Sequence, residues 1–115
     1  MSLIFKVCKK NEWEDAVNQG FYNGSDIDIK DGYIHFSTKE QIKETVEKHF
    51  KNQNNLIVIA FNTNDLINDL KWETARNGSL FPHYYGCIDT NFAKKIYFLE
   101  LGTDSIHKFP ENFFS

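Results

Sequence analysis

The sequence predicts one α+β domain with two main helices and a sheet of mixed or antiparallel strands. The 115 residues fit a single domain, and no repeat, linker or low-complexity segment divides residues 1–115. Two helical patterns come early and several strand patterns follow, which is typical of the α+β class. A hydrophobic content of 41%, with 16% aromatic residues, indicates a folded core rather than a disordered chain.

The first strand and the first helix are predicted close to the start of the chain. Residues 3–9 alternate loosely between apolar and polar side chains, which is typical of a strand. Asn11 is placed to cap a helix and Gly20 to stop it. The pairs Asn23-Gly24 and Asp31-Gly32 then mark turns around a polar loop.

A short strand and a second helix are predicted next. Residues 33–37 form the strand, and Ser37 and Glu40 have the spacing of a capping box. The helix is therefore predicted over residues 39–50. Its apolar stripe consists of Ile42, Val46 and Phe50.

The second half of the chain is predicted to be mostly strand. Residues 56–61 are continuously apolar, which suits a strand buried on both faces. Residues 71–75 and 80–84 flank Asn77-Gly78, a strong hairpin-turn signal, and residues 96–101 form a last strand. One core cluster is predicted from Phe36, Ile42, Val46, Leu56, Val58 and Ile96.

Charge and cysteine content narrow the function classes. A formal net charge of −3 is unfavourable for duplex nucleic acid, whose binding depends on cations that neutralise phosphates. Cys8 and Cys87 are far apart and indicate neither a disulfide framework nor a structural zinc site. The apolar run at the start is too short for a signal peptide and too charged for a membrane span, so we expect a cytoplasmic protein.

The strand over residues 33–37 carries the first candidate site. Alternation places its two apolar residues towards the core and Tyr33, His35 and Ser37 on the opposite face. Ser37 and Thr38 lie where the predicted helix begins, and free N–H groups there suit an anion such as a phosphate. The alternative is that His35 hydrogen-bonds a loop and Ser37 only caps the helix.

The predicted hairpin carries the second candidate site. Its polar and aromatic residues, Glu73, Arg76, His83, Tyr84 and Tyr85, lie around one turn within reach of a small ligand. Arg76 is the one arginine in a lysine-rich chain, which suggests a need for a planar, bidentate donor. The alternative is a surface hairpin with an Arg–Glu pair and ordinary aromatic packing.

Three segments, in this order, resemble a bacterial family known as domain of unknown function 952. They are DGYIHFSTKEQ, LIVIAF and WETARNGSLFPHYYG, at residues 31–41, 56–61 and 72–86. The resemblance extends over about residues 3–101. The family name assigns no activity, so the resemblance implies a fold and the position of a polar site.

A fainter likeness connects the chain to RNA 2′-phosphotransferases and to the ADP-ribosyltransferase fold. It rests on IHFS at residues 34–37 and on the Asn77-Gly78 turn. The likeness implies an antiparallel-type split sheet whose cleft would hold an NAD-type nucleotide against His35, Ser37 and Arg76. The chain departs from the phosphotransferases because it has no first-strand histidine and one arginine, which argues against transfer to or from RNA.

These observations leave three functional hypotheses. The first is a site for a small anionic ligand of nucleotide type, transferase-like if catalytic, with His35 as acid or base and Glu73 as a catalytic carboxylate. The second is a non-catalytic protein-interaction module. The third is a metal-dependent hydrolase using His35, His83 and Glu73, although their spacing matches no metal motif and no metal ligand is assigned. The sequence does not define the substrate or the oligomeric state.

Overall fold

The computed structural model describes residues 2–75 and 77–114, which form one α+β domain. The strands are β1 (Leu3–Lys9), β2 (Phe21–Tyr22), β3 (Ile34–His35), β4 (Leu56–Asn62), β5 (Leu70–Thr74), β6 (Leu80–Tyr84), β7 (Ile88–Asp89), β8 (Ala93–Leu101) and β9 (His107–Lys108). The helices are α1 (Lys10–Gln19), α2 (Asp26–Asp31) and α3 (Ile42–His49), with short 3-10 turns at Thr63–Leu66 and Thr90–Phe92.

The described strands form separate antiparallel sheets, which confirms the predicted α+β class and the antiparallel alternative for its strands. The largest sheet has the order β1-β4-β8-β9, and the others pair β2 with β7 and arrange β3-β6-β5. The predicted hairpin is the β5–β6 pair, with Thr74 opposite Leu80. The described part of the chain has three helices rather than the two main helices predicted, because α2 is an additional short helix.

Strand β4 is the centre of the core, and its residues alternate between two clusters. Ile57, Ile59 and Phe61 pack on one side with α1, β3 and β6, whereas Leu56, Val58 and Ala60 pack on the other with α3. The prediction of one cluster was therefore wrong. Ile96 is also not buried: it is 50% exposed, because the cluster on the face of Ile59, its partner on β4, contacts β8 at Ala93 and leaves Ile96 uncovered.

The two long helices begin differently from the sequence prediction. Helix α1 begins at Lys10, before Asn11, whose side-chain oxygen accepts from the backbone N–H of Glu12 at 3.0 Å. The predicted stop at Gly20 is confirmed, with φ of 95°. This left-handed conformation is accessible to glycine at little cost.

The capping box predicted for α3 does not form, because the helix begins at Ile42 and its N-cap, Gln41, makes no side-chain cap hydrogen bond. A reciprocal pair lies instead in the turn before the helix. Thr38 and Gln41, not Ser37 and Glu40, exchange reciprocal hydrogen bonds, from the Thr38 N–H to Gln41 Oε1 at 3.1 Å and from the Gln41 N–H to Thr38 Oγ1 at 3.3 Å. Ser37 is instead held by strand pairing, because it exchanges both backbone hydrogen bonds with Phe5. This pairing ties the end of the 33–37 segment to β1.

Candidate functional site

Two histidines face each other across the sheet that contains β3 and β6. His35 on β3 pairs with His83 on β6, and their ring centroids are 5.5 Å apart. The Tyr33 ring covers both, at 4.6 Å from His35 and 4.2 Å from His83, and the Tyr85 ring lies 5.3 Å from Tyr33. We call Tyr33, His35, His83 and Tyr85 the imidazole–tyrosine cluster.

His35 is fixed by the buried carboxylate of Asp28. Asp28 Oδ1 lies 2.6 Å from His35 Nδ1 and accepts from the His35 backbone N–H at 3.1 Å. Asp28 Oδ2 lies 2.7 Å from Lys6 Nζ and accepts from the Ser25 N–H at 2.9 Å. Lys6 also donates to the His35 carbonyl at 3.1 Å. Three elements, β1, α2 and β3, are therefore joined at one carboxylate.

The environment of Asp28 keeps its carboxylate ionised. Burial is the largest single influence on its pKa and would raise it. The hydrogen bond from His35, the charge and hydrogen bond of Lys6 and the Ser25 amide together outweigh burial, and they hold the pKa well below its usual range. An ionised carboxylate thus contacts Nδ1 of His35 at neutral pH.

The outer nitrogen of His35 contacts a second carboxylate. Asp31 Oδ2 lies 3.1 Å from His35 Nε2, and both side chains are about one-third exposed, at 37% and 35%. Because a carboxylate is an acceptor only, both contacts of the ring are hydrogen bonds only when His35 is the imidazolium.

His83 is fixed by Glu73, on the neighbouring strand of the hairpin. Glu73 Oε1 lies 2.8 Å from His83 Nδ1 and accepts from the Tyr85 hydroxyl at 2.6 Å. The hydrogen bonds from Tyr85 and then His83 lower the pKa of Glu73. The same hydrogen bond to Glu73 raises the pKa of Tyr85 to about 12. Lys71 Nζ lies 5.1 Å from the centre of the Tyr85 ring.

Not every residue predicted for the site lies in it. His35, Glu73, His83 and Tyr85 come together. Tyr84 instead points into the core on the opposite face of β6, where burial raises its pKa.

Two further residues of the predicted site have mainly structural contacts, and a third is not described. Ser37 is buried, with Oγ 2.9 Å from Thr45 Oγ1, so its hydroxyl does not cap the helix beside His35. Thr38 lies in the turn that opens α3 and is half-buried. Arg76, predicted to bind a ligand, lies outside the described residues.

Sequence reasoning missed Lys6 and Asp28 and gave Tyr33 no role. Two signals were available: a lysine inside the apolar first strand, and the Ser25–Asp28 spacing. The latter forms a capping box, in which the Asp28 N–H donates to Ser25 Oγ at 3.4 Å and the Asp28 carboxylate accepts from Ser25. The box starts α2 and thereby places Asp28 under His35.

Of two cavities among the described residues, one shares Tyr33 with the cluster. This cavity, of about 240 Å³, includes Asp28 and Tyr33 in its wall; its full lining is Asn23, Asp28, Ile29, Gly32, Tyr33, Ile34, Gly86 and Cys87. The other, of about 330 Å³, is lined by Ser2, Leu3, Phe5, Thr38, Lys39, Glu40 and Trp72. Within residues 2–75 and 77–114, no group of three or more His, Cys, Asp or Glu side chains could hold a metal ion.

The fold and the cluster define a small α+β protein with a polar site on a three-stranded sheet. The chain belongs to the family described as protein of unknown function (DUF952), whose model matches residues 7–96. The resemblance to this family seen in the sequence is therefore confirmed. Among the described residues, no helix has the length and apolar character needed to cross a membrane.

Solved structures of one relative share the fold. The crystal structure of protein CC0527 from Caulobacter crescentus is 38% identical with a TM-score of 0.89, over 93% of this chain and 94% of that chain. The solution NMR structure of CC0527 is 40% identical with a TM-score of 0.81, over 92% of this chain and 91% of that chain. No curated protein matches the chain.

Proposed function

We propose that this DUF952 protein binds a small anionic ligand of nucleotide type, and that His35 contacts its anionic group. The observation that carries the proposal is the His35 ring, which is about one-third exposed and is hydrogen-bonded at Nδ1 by the buried Asp28. A carboxylate behind one ring nitrogen fixes the orientation of an imidazole and leaves the other nitrogen for a ligand. The same nitrogen can give or take a proton if the protein is an enzyme.

The surroundings of His35 support this role over a purely structural one. Asp28 is fully buried, and its two oxygens together accept from Lys6, Ser25 and His35. Burying a lysine–aspartate pair costs desolvation energy that a hydrophobic pair of similar size would not. The pair orients a ring that reaches the surface, which is an arrangement expected of a site.

The aromatic members of the cluster offer the second half of a nucleotide site. Tyr33 forms a wall of the 240 Å³ cavity, and a planar base could stack on such a ring. Arg76, from its sequence position at the hairpin turn, is proposed as the bidentate donor to a phosphate. The likeness to the ADP-ribosyltransferase fold adds NAD-type nucleotides as candidates and Glu73 as the carboxylate of a transferase.

One observation favours a second function, a non-catalytic protein-interaction module. In the part of the chain that the structure describes, neither cavity is lined by His35 or His83. A polar cluster on an open face also suits a protein partner. A ligand screen separates the two functions, because an interaction module gives no response to nucleotides.

The test is a set of thermal melts against NAD, ADP-ribose, AMP and inorganic phosphate. A ligand at ten times its Kd stabilises the native state by about 1.4 kcal/mol, which raises the melting temperature by several degrees. His35→Ala should abolish this rise, whereas His49→Ala, at an exposed position on α3, should keep it. No rise with any nucleotide up to millimolar concentration would refute the proposal.

Arg76→Lys tests the proposed phosphate donor separately. Lysine keeps the charge and loses the planar fork, so we expect weaker nucleotide binding and a nearly unchanged melting temperature without ligand. Lys48→Arg, on the exposed face of α3, is the matched control for side-chain type. Equal binding by wild type and Arg76→Lys would remove Arg76 from the site.

A further inference from the structure

The contact between Asp31 and His35 is unusual for its position. Asp31 is the last residue of α2, and Gly32 ends the helix in the left-handed conformation with φ of 89°. An acidic side chain is disfavoured at a helix C-terminus, where the carbonyl groups carry partial negative charge. The carboxylate nevertheless lies 3.1 Å from His35 Nε2.

Asp31 and Asp28 contact the same His35 ring, but they differ in burial and in the number of their other partners. Asp28 is fully buried and has three protein partners for its two oxygens, so it cannot leave without unpairing Lys6. Asp31 is 37% exposed, so its carboxylate can turn into solvent at little cost. Exposed pairs of this kind contribute little to stability. Asp31 is thus a replaceable partner of Nε2.

We infer that Asp31 is an internal competitor for the anion subsite of this protein. Its carboxylate occupies the position at His35 Nε2 that the oxyanion of a bound ligand takes. The inference rests on the proposed function and adds to it the contacted atom and the ligand chemistry. That chemistry is a carboxylate or phosphate oxygen accepting one charge-assisted hydrogen bond from the imidazolium.

If Asp31 competes with the anion for His35, removing the charge of Asp31 should improve anion binding. Asp31→Asn keeps the size of the side chain and removes its charge. Asp26→Asn removes the same charge from the exposed first turn of the same helix and does not touch His35. If the exposed pair has the usual strength, Asp31→Asn should tighten binding of inorganic phosphate about two- to five-fold, and Asp26→Asn should leave it nearly unchanged.

The measurement is an NMR titration of the histidine ring nitrogens with inorganic phosphate, repeated with acetate to compare a carboxylate. Without any ligand, the Nε2 resonance of His35 should move in Asp31→Asn and stay in place in Asp26→Asn. With ligand, the same resonance should shift at lower phosphate concentration in Asp31→Asn than in wild type.

Three results would overturn the inference. An unmoved Nε2 resonance in ligand-free Asp31→Asn would show that the contact is absent in solution. Equal tightening in both variants would reduce the effect to net charge, and weaker binding in Asp31→Asn would make Asp31 a supporting residue. Failure of the proposed function is different: His35 Nε2 would then respond to Asp31→Asn but to no anion or nucleotide in any variant.

Discussion

The two histidine–carboxylate pairs of the cluster are held in different ways. Asp28 is buried and lies among β1, α2 and β3, where Lys6 and Ser25 fix it together with His35. Glu73 is 38% exposed and takes both of its partners, His83 and Tyr85, from the region of its own hairpin. The first pair depends on the tertiary structure of the whole domain, and the second on one local element.

We expect the half of the site around His35 to be the more rigid one. The position of His35 is determined by groups that cannot move without disturbing the core around β4. Glu73 and Tyr85 lie on a hairpin whose tip is solvent-exposed, so they can adjust to a ligand at lower cost. We therefore expect substitutions at the Asp28–His35 pair to change the free energy of unfolding. Substitutions at the Glu73–His83 pair should mainly change the pKa of a neighbouring side chain.

Among the substitutions in the site, Lys6→Met should cause the largest loss of unfolding free energy. Removing one partner of a buried ion pair leaves an uncompensated charge, and the usual loss is about 3–5 kcal/mol. The free energy of unfolding, measured by denaturant melts at neutral pH, should fall by about that amount. Lys48→Met is the control, because its pair with Glu44 is exposed on both sides.

A smaller loss of unfolding free energy in Lys6→Met would also decide whether the two halves of the site differ. A change below about 1 kcal/mol would place Lys6 with the exposed pairs. Asp28 would then not depend on its buried counter-ion, and the two halves of the site would not differ as proposed. The double variant Lys6→Met/Asp28→Asn measures the coupling directly and should be more stable than the sum of the single losses predicts.

Asp28→Asn should have the next largest effect, and its signature is pH dependence. Asn keeps an acceptor, and Lys6 keeps its hydrogen bond to the His35 carbonyl, so we expect a loss of about 2–3 kcal/mol at neutral pH. The folded-state pKa of Asp28 is lowered. Its contribution to stability is therefore complete above the unfolded value of about 3.9 and is lost as the pH falls further.

The unfolding free energy, measured as the pH is lowered below neutrality, tests the direction of this change. Wild type should lose unfolding free energy steeply below about pH 4, and Asp28→Asn should lose it with a shallower slope. Asp26→Asn, exposed in the first turn of the same helix, should keep the wild-type slope. Parallel curves for wild type and Asp28→Asn would mean that Asp28 does not gain its charge stabilisation on folding.

Glu73→Gln should have the smallest effect on stability and a clear effect on Tyr85. The pKa of Tyr85 is raised to about 12 by its hydrogen bond to Glu73, and without the charge it should return towards the usual value of about 10. NMR of tyrosine labelled at Cζ, with Tyr85→Phe to assign the signal, measures this change. An unchanged pKa would show that the Glu73–Tyr85 contact is weak in solution.

Much of the fold was predictable from short local signals. The apolar run of β4 and the Asn77-Gly78 turn are contained in a few neighbouring residues, so strand and hairpin were predicted correctly. Helix α2 was missed because six residues are too few to show a helical period, and its capping box uses Asp rather than Glu or Gln. Ile96 was misplaced because hydrophobicity alone does not show where a sheet is left uncovered.

The site was predictable only in part because it joins distant segments. His35, Glu73, His83 and Tyr85 were found from polar residues clustered in two short motifs. Asp28 lies on a third segment and Lys6 on a fourth, and their pairing appears only when β1 and α2 meet beneath β3. Tyr84 was assigned to the site because it stands next to His83 and Tyr85 in the same motif, although alternation along β6 places it on the opposite face, in the core.

The order of strands in the largest sheet has a consequence for how the molecule folds. Strand β4 lies between β1 and β8, each of which is far from it in the sequence, so closing this sheet requires slow, long-range contacts. The β5–β6 hairpin needs a short loop and can form on a microsecond timescale. Glu73 and His83 would thus meet early during folding, and His35 would reach its orientation only after β1 has joined β4.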